Sequence, residues 1–557
     1  MSLEGGFTRR RKGIQKVLEL MNCEGEEVAN CNDTNFILNF PTGYGKTTLS
    51  IELARWLSTR TTTNFARLIH VVPTRALVED IAKRARGLNY AVQYSFAPSE
   101  LKSPNFLAEF VITTYDSFLL NLYKASIGEP FSVHGHYDLP RFSIYTSLVH
   151  FDEFHLMNEG NSWTSLIGAI KHLTKVGVNF MLSSATPSRS IEEKIIENSR
   201  NITKVSVVRN YGDSVKGRNC KEVSEGEYEC YTAERRRPYR VVEVVEDLKV
   251  PDIDIKLIND GEEIPRVIEG RTIIVVNTVE RAISLYDELK RRQLKPCLIH
   301  SRFRISDRMK IILDECDIII STQVIEVGVN ISSDVMITEQ APLPSIVQRV
   351  GRLLRYNERE RGTLYIWRTG EYAPYDKDEV IRTLDALSNN DVCLKDPYGC
   401  HGKRGYGEII DNIIKEPQVD YKLLKELEEI SINPFLTKKD LEKVLEDYCT
   451  LTNSFIINLA LDKPSSLEDL IPFSGEMIDK APLVREGNKV LAYFEKYTSN
   501  GEMDNVEIIE DYIEFKDWKD LCKKYRKPME DKDGRKLLLA LMVDNSFYDN
   551  ERGLRLK

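Results

Sequence analysis

Residues 40–50 read FPTGYGKTTLS, and residues 147–155 read SLVHFDEFH. The first is a glycine-bearing turn set directly after the apolar run Phe36-Ile37-Leu38 and closed by Lys46 and Thr47. Glycine removes the Cβ obstruction, so backbone N–H groups across Thr42, Gly43, Tyr44, Gly45, Lys46, Thr47 and Thr48 can converge on an anion at the positive end of a starting helix. That chemistry suits a nucleoside triphosphate. Lys46 would neutralise its β and γ phosphates and the Thr47 hydroxyl would hold Mg2+. Phe40 stands where the first glycine of such loops usually sits.

The second stretch places Asp152 and Glu153 where a buried strand ends, the edge at which α/β sheets hold their ligands. Asp152 can reach Mg2+ through water, and Glu153 can orient and deprotonate an attacking water. Alone, an acidic pair is more often a solvated strand end; its weight comes from the elements around it.

Those elements alternate. FILNF (36–40), RLIHVVP (68–73 with its flanks), FVITTY (110–115), SLVHFDE (147–153) and NFMLSSAT (179–186) read as strands apolar on both faces, as a parallel sheet covered by helices requires. A second series, RTIIVVNT (271–278), PCLIHSR (296–302), CDIIISTQ (316–323), DVMITEQ (334–340) and TLYIWRT (363–369), repeats the pattern with helical segments such as VERAISLYDELKRRQ between. The expected fold is α/β: two tandem doubly wound parallel-sheet domains, 1–208 and 238–371, joined by a polar linker or insertion at 209–237. Beyond them, 372–557 should form a mostly helical accessory region, with YKLLKELEEI, KKDLEKVLEDYCTL and RKLLLALMV read as helices.

Composition narrows the partners. A net charge of −9 offers no bulk attraction to a polyanion, so nucleic acid would need a local basic groove. No apolar stretch reaches the ~18 to 20 residues of a membrane span, and MSLEGGFTRRRKG lacks a signal peptide's apolar core. A cytoplasmic protein without membrane partners is expected. Ten cysteines without a CxxC pair read as ordinary thiols; Cys220 with Cys230, and Cys393 with Cys400-His401, stay open as metal ligands or disulfides.

In order along the chain come PTGYGKT, Pro73-Thr74-Arg75, Thr113-Thr114-Tyr115-Asp116, FDEFH, Ser184-Ala185-Thr186, VVNTVERA, LIHSRF, STQVIEVGVN and QRVGRLLR (348–355). This series resembles the superfamily 2 DExH helicases over residues ~10 to ~370, which implies that the two parallel-sheet domains are RecA-like, and its combination resembles the CRISPR-associated helicases of type I interference systems. No histidine precedes an aspartate. The resemblance therefore points to the stand-alone form, whose HD nuclease is a separate polypeptide.

The resemblance implies roles. ATP would lie between the domains, with Gln15 meeting the adenine edge and Arg352 and Arg355 stabilising the transferring phosphoryl group. Gln348 and His155 would face each other across the cleft, and Ser184 and Thr186 would couple hydrolysis to movement. Thr74, Arg75, Thr113 and Thr114, with Asn277, Thr278, Ser301, Arg302 and Thr322, would contact strand phosphates; for each threonine a strand-end cap competes. Asn330 stands where many relatives carry aspartate. The implied activity is a nucleic-acid-stimulated ATPase moving 3′ to 5′ on single-stranded DNA, recruited to an RNA-guided surveillance complex. A repair or RNA-remodelling helicase, or a nucleotide-gated clamp, are the alternatives. The basic run Arg9-Arg10-Arg11-Lys12 could touch DNA or be a solvated start.

Overall fold

The computed structural model describes residues 11–21, 34–58, 65–94, 99–125, 138–186, 188–326, 328–356, 358–453, 455–498, 506–531 and 534–557. Arg9 and Arg10 of the basic run lie outside them.

Seven strands build the first sheet's parallel core: β1 (Asn35–Asn39), β2 (Arg67–Val72), β3 (Tyr90–Gln93), β4 (Phe110–Thr114), β5 (Ser147–Asp152), β6 (Phe180–Ser184) and β7 (Ile202–Val208). Strands β1, β4, β5, β6 and β7 are buried at every residue, which is why their sequences carry no alternation. Helices Lys46–Ser58 and Gly160–Val176 are among those that cover the two faces.

Residues 209–237 are not a linker. They form β8 (Asn219–Ser224) and β9 (Glu227–Tyr231), an antiparallel hairpin paired onto β10 (Pro238–Val245), and β10 runs parallel to β7. The resulting order is β3-β4-β2-β5-β6-β1-β7-β10-β9-β8, so the first sheet reaches Val245. The hairpin's outer strand is almost wholly exposed, and its polar sequence follows from that.

The second sheet contains β11 (Asp252–Ile258), β12 (Thr272–Val275), β13 (Pro296–Ile299), β14 (Ile318–Ser321), β15 (Val335–Glu339) and β16 (Arg361–Trp367), in the order β11-β16-β15-β12-β14-β13. All its pairings are parallel.

The accessory region divides in two. Helices Lys377–Leu387, Tyr406–Ile413, Tyr421–Ile432 and Lys438–Tyr448 come first, and a seven-stranded, largely antiparallel sheet begins at Ile456. RKLLLALMV is a strand in it, Gly534–Met542, rather than a helix. A short continuous apolar run does not distinguish the two, and pairing with Lys489–Thr498 decides the matter.

Among the described residues eight cysteines are disulfide-bonded, Cys220–Cys230, Cys297–Cys316, Cys393–Cys400 and Cys449–Cys522, while Cys23 and Cys31 lie outside the described residues. The free-thiol expectation is overturned, most simply in the hairpin, where Cys220 and Cys230 are opposite each other in register. His401 Nε2 donates to the Val250 carbonyl at 2.8 Å. Among the described residues no helix is long and apolar enough to cross a membrane.

Candidate functional site

The glycine-bearing turn lies between β1 and the helix Lys46–Ser58, with Gly43 at φ +73° and Gly45 at φ +106°, a region that favours glycine. Tyr44 anchors it. Its ring is buried 4.9 Å from that of Phe40, and its hydroxyl accepts from Gly13 N (2.8 Å) and donates to Glu246 (2.5 Å). Phe40 therefore substitutes for a glycine by packing, and Tyr44 ties the loop to both the first helix and β10.

Lys46 Nζ sits 2.8 Å from Glu153 Oε1. Burial pushes the Glu153 carboxyl up, with Lys46 opposing and Asp152 adding to the rise. Glu153 adopts φ +50°, a left-handed conformation uncommon for a side-chain-bearing residue. It is the point where β5 turns sharply into the 3-10 turn Phe154–Met157.

Asp152 terminates a buried polar chain that sequence reasoning missed. Its Oδ1 accepts from Ser183 Oγ (2.5 Å) and from Glu153 N (3.0 Å), while Oδ2 lies 3.4 Å from His70 Nε2. Ser183 in turn meets His150 Nε2 at 2.8 Å, and His150 Nδ1 meets Ser50 Oγ at 2.6 Å. Burial opposes its charge, yet His70, followed by His150 and Lys46, holds the Asp152 carboxyl well below the usual range. The signal available in sequence was a histidine inside each of two apolar strands, LIHVV and LVHFD.

His155 Nδ1 lies 2.9 Å from Ser184 Oγ and 3.3 Å from Glu153 Oε2, and Thr186 N donates to Ser184 Oγ at 3.1 Å. Burial, with the charge of Lys46, pushes His155 down to about 3, so the ring is neutral. The Glu153 carboxylate and the Ser184-Ala185-Thr186 turn thus share one imidazole.

The second domain closes against this edge. A Cβ at Gly351 would lie 3.2 Å from Thr42 Cβ, and one at Gly328 would lie 2.9 Å from Ala76 Cβ. Gln348 and His155 are both buried, each with an unpartnered nitrogen, Nε2 in both, and no hydrogen bond joins them.

The two arginines behave differently. Arg352 donates to the carbonyls of Ile325 (3.2 Å) and Glu326 (3.0 Å), so its side chain is docked on its own domain rather than extended as a finger. Arg355 Nη1 is buried without a hydrogen-bond partner. Burial holds its guanidinium below the ordinary value, and the charges acting on it include Asp80 and Arg84 of the first-domain helix Arg75–Arg84.

Arg349, not singled out from sequence, organises the second domain's edge. Fully buried, it donates to Glu326 Oε1 (2.8 Å), Thr338 Oγ1 (2.7 Å), Asn277 Oδ1 (3.1 Å) and Tyr375 OH (2.9 Å).

Several expected strand contacts are engaged within the protein. Thr74 and Thr278 cap helices by accepting from Leu77 N and Arg281 N, both at 3.3 Å. Thr113 is buried on the Gln93 carbonyl (2.8 Å), Thr114 meets Ser117, and Asn277 donates to the Gln340 carbonyl (2.8 Å). Arg302 pairs with Glu280 (2.5 Å), Thr322 is buried, and Ser301 is exposed. Arg75 leads the helix capped by Thr74. Gln15 is exposed and donates to Glu19 of its own helix at 2.9 Å, turned away from the adenine role expected of it. Thr48 accepts from Arg84 (3.0 Å), and Thr47 is half-buried at the helix start.

Residues 25–194 match the DEAD/DEAH box helicase family, and residues 269–358 match the CRISPR-associated nuclease/helicase Cas3, C-terminal family. The two matches fall on the two parallel sheets in the order the motif series requires. In both sheets the chain resembles the superfamily 2 DExH helicases, and among them the CRISPR-associated helicases. The CRISPR-associated helicase Cas3 of Thermoproteus tenax is 27% identical to this chain over 401 residues, covering 67% of this chain and 63% of that one. T. fusca Cas3 with AMPPNP has a similar fold at TM-score 0.54 and 16% identity, covering 86% of this chain and 65% of that one. A chain of a CRISPR RNA-guided surveillance complex in a pre-nicking state gives TM-score 0.50 at 15% identity, over 94% of this chain and 68% of that chain. The chain thus spans under two thirds of the length of the T. tenax relative.

Proposed function

We propose that this chain is an ATP-driven motor that moves 3′ to 5′ along single-stranded DNA, unwinding target DNA at a guide-RNA R-loop for a separate HD nuclease. The observation that carries the reading is the convergence of Lys46, Asp152, Glu153 and the His155–Ser184 pair at one sheet edge, with the turn at Gly351 of the second domain packed against Thr42. A nucleotide there would touch both domains, so its turnover would move one against the other. The CRISPR-associated relatives, and the fold shared with a chain of a surveillance complex, support the partner assignment.

The residues fit a triphosphate. Lys46 Nζ is buried against Glu153, Gly43 leaves open space at the loop, and Glu153 Oε2, 3.3 Å from His155 Nδ1, accepts no hydrogen bond. Bound Mg2+ would neutralise phosphate charge, held by Thr47 and, through water, by Asp152; one or two carboxylates suffice for such a site. Lys46 would exchange Glu153 for phosphate oxygens on nucleotide entry. The freed Glu153 carboxylate would take the proton of the attacking water, and His155 would carry its change of position to Ser184 and Thr186. Arg355, buried beside the first domain, is better placed to meet developing charge than Arg352.

Strand-stimulated ATP turnover is the test. It should vanish in Lys46→Ala and Asp152→Ala, and unaffected turnover in both would remove the site assignment. Single-stranded DNA should stimulate more than RNA, and duplex displacement separates a motor from a clamp.

A further inference from the structure

The amino edge of the first sheet carries a cleft of about 390 Å³ on the side opposite Lys46 and Asp152. Its walls come from the end of helix Gly160–Val176, residues 198–200 before β7, residues 235–237 before β10, and the start of helix Tyr421–Ile432. Six lining residues are cationic, Lys171, Lys175, Lys194, Arg200, Arg235 and Arg237, against one acid, Glu197. In a chain of net charge −9, this concentration runs against the field of the whole molecule.

Local acids account for half of those cations. Lys171 pairs with Glu428, Lys194 lies 3.3 Å from Glu416 and 3.7 Å from Glu234, and Arg235 lies 3.8 Å from Glu197. Lys175, Arg200 and Arg237 are exposed and pair with no acid among the described residues. The turn that presents Arg237 is built, not loose. Glu193 accepts from Ala233 N and Glu197 from Arg235 N, both at 3.2 Å, and Thr232 and Arg237 exchange backbone and side-chain hydrogen bonds at 3.0 Å. Beside them Tyr421, the first residue of its helix, is 73% exposed at the cleft wall.

We propose that this cleft is a second nucleic-acid site, in which Lys175, Arg200 and Arg237 hold the phosphodiester backbone of a single strand and Tyr421 stacks on an unpaired base. Spaced cations with an exposed aromatic ring are the features that sequence-tolerant single-strand binding needs. The inference rests on the chain being a strand-binding motor. It adds a contact on the face away from the ATP cleft, where displaced or outgoing strand can be held without entering the channel between the domains.

The test uses the full chain with a fluorescein-labelled oligo-dT strand. In the triple variant Lys175→Ala, Arg200→Ala, Arg237→Ala, the slope of log affinity against log salt should fall by about 2, at roughly 0.7 per lost phosphate contact on a single strand. Tyr421→Ala should weaken binding roughly tenfold. ATP turnover without DNA should be unchanged in both. A bromodeoxyuridine-substituted strand should crosslink to Tyr421 in the wild type and in Lys46→Ala. A wild type that binds strand, with an unaltered slope in the triple variant and no Tyr421 crosslink, overturns this proposal alone. A wild type that binds no strand overturns it together with the motor. Competition by polyglutamate as strong as by oligo-dT overturns the nucleic-acid assignment and leaves an acidic protein surface as the occupant.

Discussion

Lys46 Nζ and Glu153 Oε1 stand 2.8 Å apart, so the cation suited to a nucleotide's phosphates is held by the carboxylate suited to its water. On the proposed function the pair is a resting latch: nucleotide would displace Glu153 from Lys46, and that displacement would free the base only when there is something to hydrolyse.

Glu153→Gln separates the two roles. Without the competing carboxylate, nucleotide affinity should hold or rise, while turnover falls by about 10²- to 10⁴-fold with the loss of the general base. Fluorescent-nucleotide titration beside a turnover assay reads both. Turnover near wild type would show that Glu153 is only Lys46's structural partner.

Arg349 should matter for stability more than its silence in the sequence implies. Arg349→Met leaves the buried Glu326 without its cation and should destabilise the second domain by about 3–5 kcal/mol. Adding Glu326→Gln should recover part of that loss. Urea unfolding of single and double variants measures the coupling, and additive losses would contradict it.

Much of the two parallel sheets was legible because strands buried on both faces announce themselves, as FILNF and FVITT do. What escaped depended on register. His70 and His150 are eighty residues apart in sequence and become partners only when β2 pairs with β5, bringing their rings to 4.7 Å. The hairpin at 219–231 was hidden for the opposite reason: its outer strand faces solvent and has no apolar alternation to read. Thr113 and Asn277 were misjudged because a strand-end hydroxyl or amide looks the same in sequence whether a phosphate or a backbone carbonyl receives it.

Four buried histidines set an acid limit. Burial holds His150, His155 and His300 at about 3 and His172 at about 4, against 6.5 for a free imidazole. The unfolded chain takes up protons as pH falls through 6.5 and the folded chain does not, so their contribution is whole above 6.5 and is lost progressively below it. Burial raises Asp116 and Glu326, which act with opposite sign at the lower carboxylate range. The histidine effect is therefore clearest between about pH 6.5 and 5. Urea midpoints should fall across that window, and less steeply in His172→Gln. A flat profile would contradict the buried neutral rings.

The disulfide Cys449–Cys522 joins the end of helix Lys438–Tyr448 to helix Trp518–Tyr525, which lies between strands of the C-terminal sheet, across 73 residues. Closing a loop of that length restricts the unfolded chain by about 4 kcal/mol in the chain-entropy model. Thiol reductant, or Cys449→Ser with Cys522→Ser, should lower the unfolding midpoint of the C-terminal sheet while leaving nucleotide affinity unchanged. Equal midpoints with and without reductant would show that the bond does not support that sheet.

Gly328 tests whether domain approach is the step that nucleotide turnover drives. Its φ of +81° already favours glycine, and a Cβ there would lie 2.9 Å from Ala76 Cβ and 3.1 Å from Leu77 N. Gly328→Ala must therefore push the second domain off the start of helix Arg75–Arg84, while Lys46, Asp152 and Glu153 remain untouched on the first. If catalysis needs both domains in contact, nucleotide affinity should stay close to wild type and turnover should fall roughly tenfold to a hundredfold, the cost of a displacement of about 1 Å at an assembled site. Strand-stimulated turnover should suffer more than unstimulated turnover, since the strand would act by holding the domains together. Wild-type turnover in Gly328→Ala would mean that the contact between Gly328 and Ala76 is incidental and that hydrolysis is completed within the first domain.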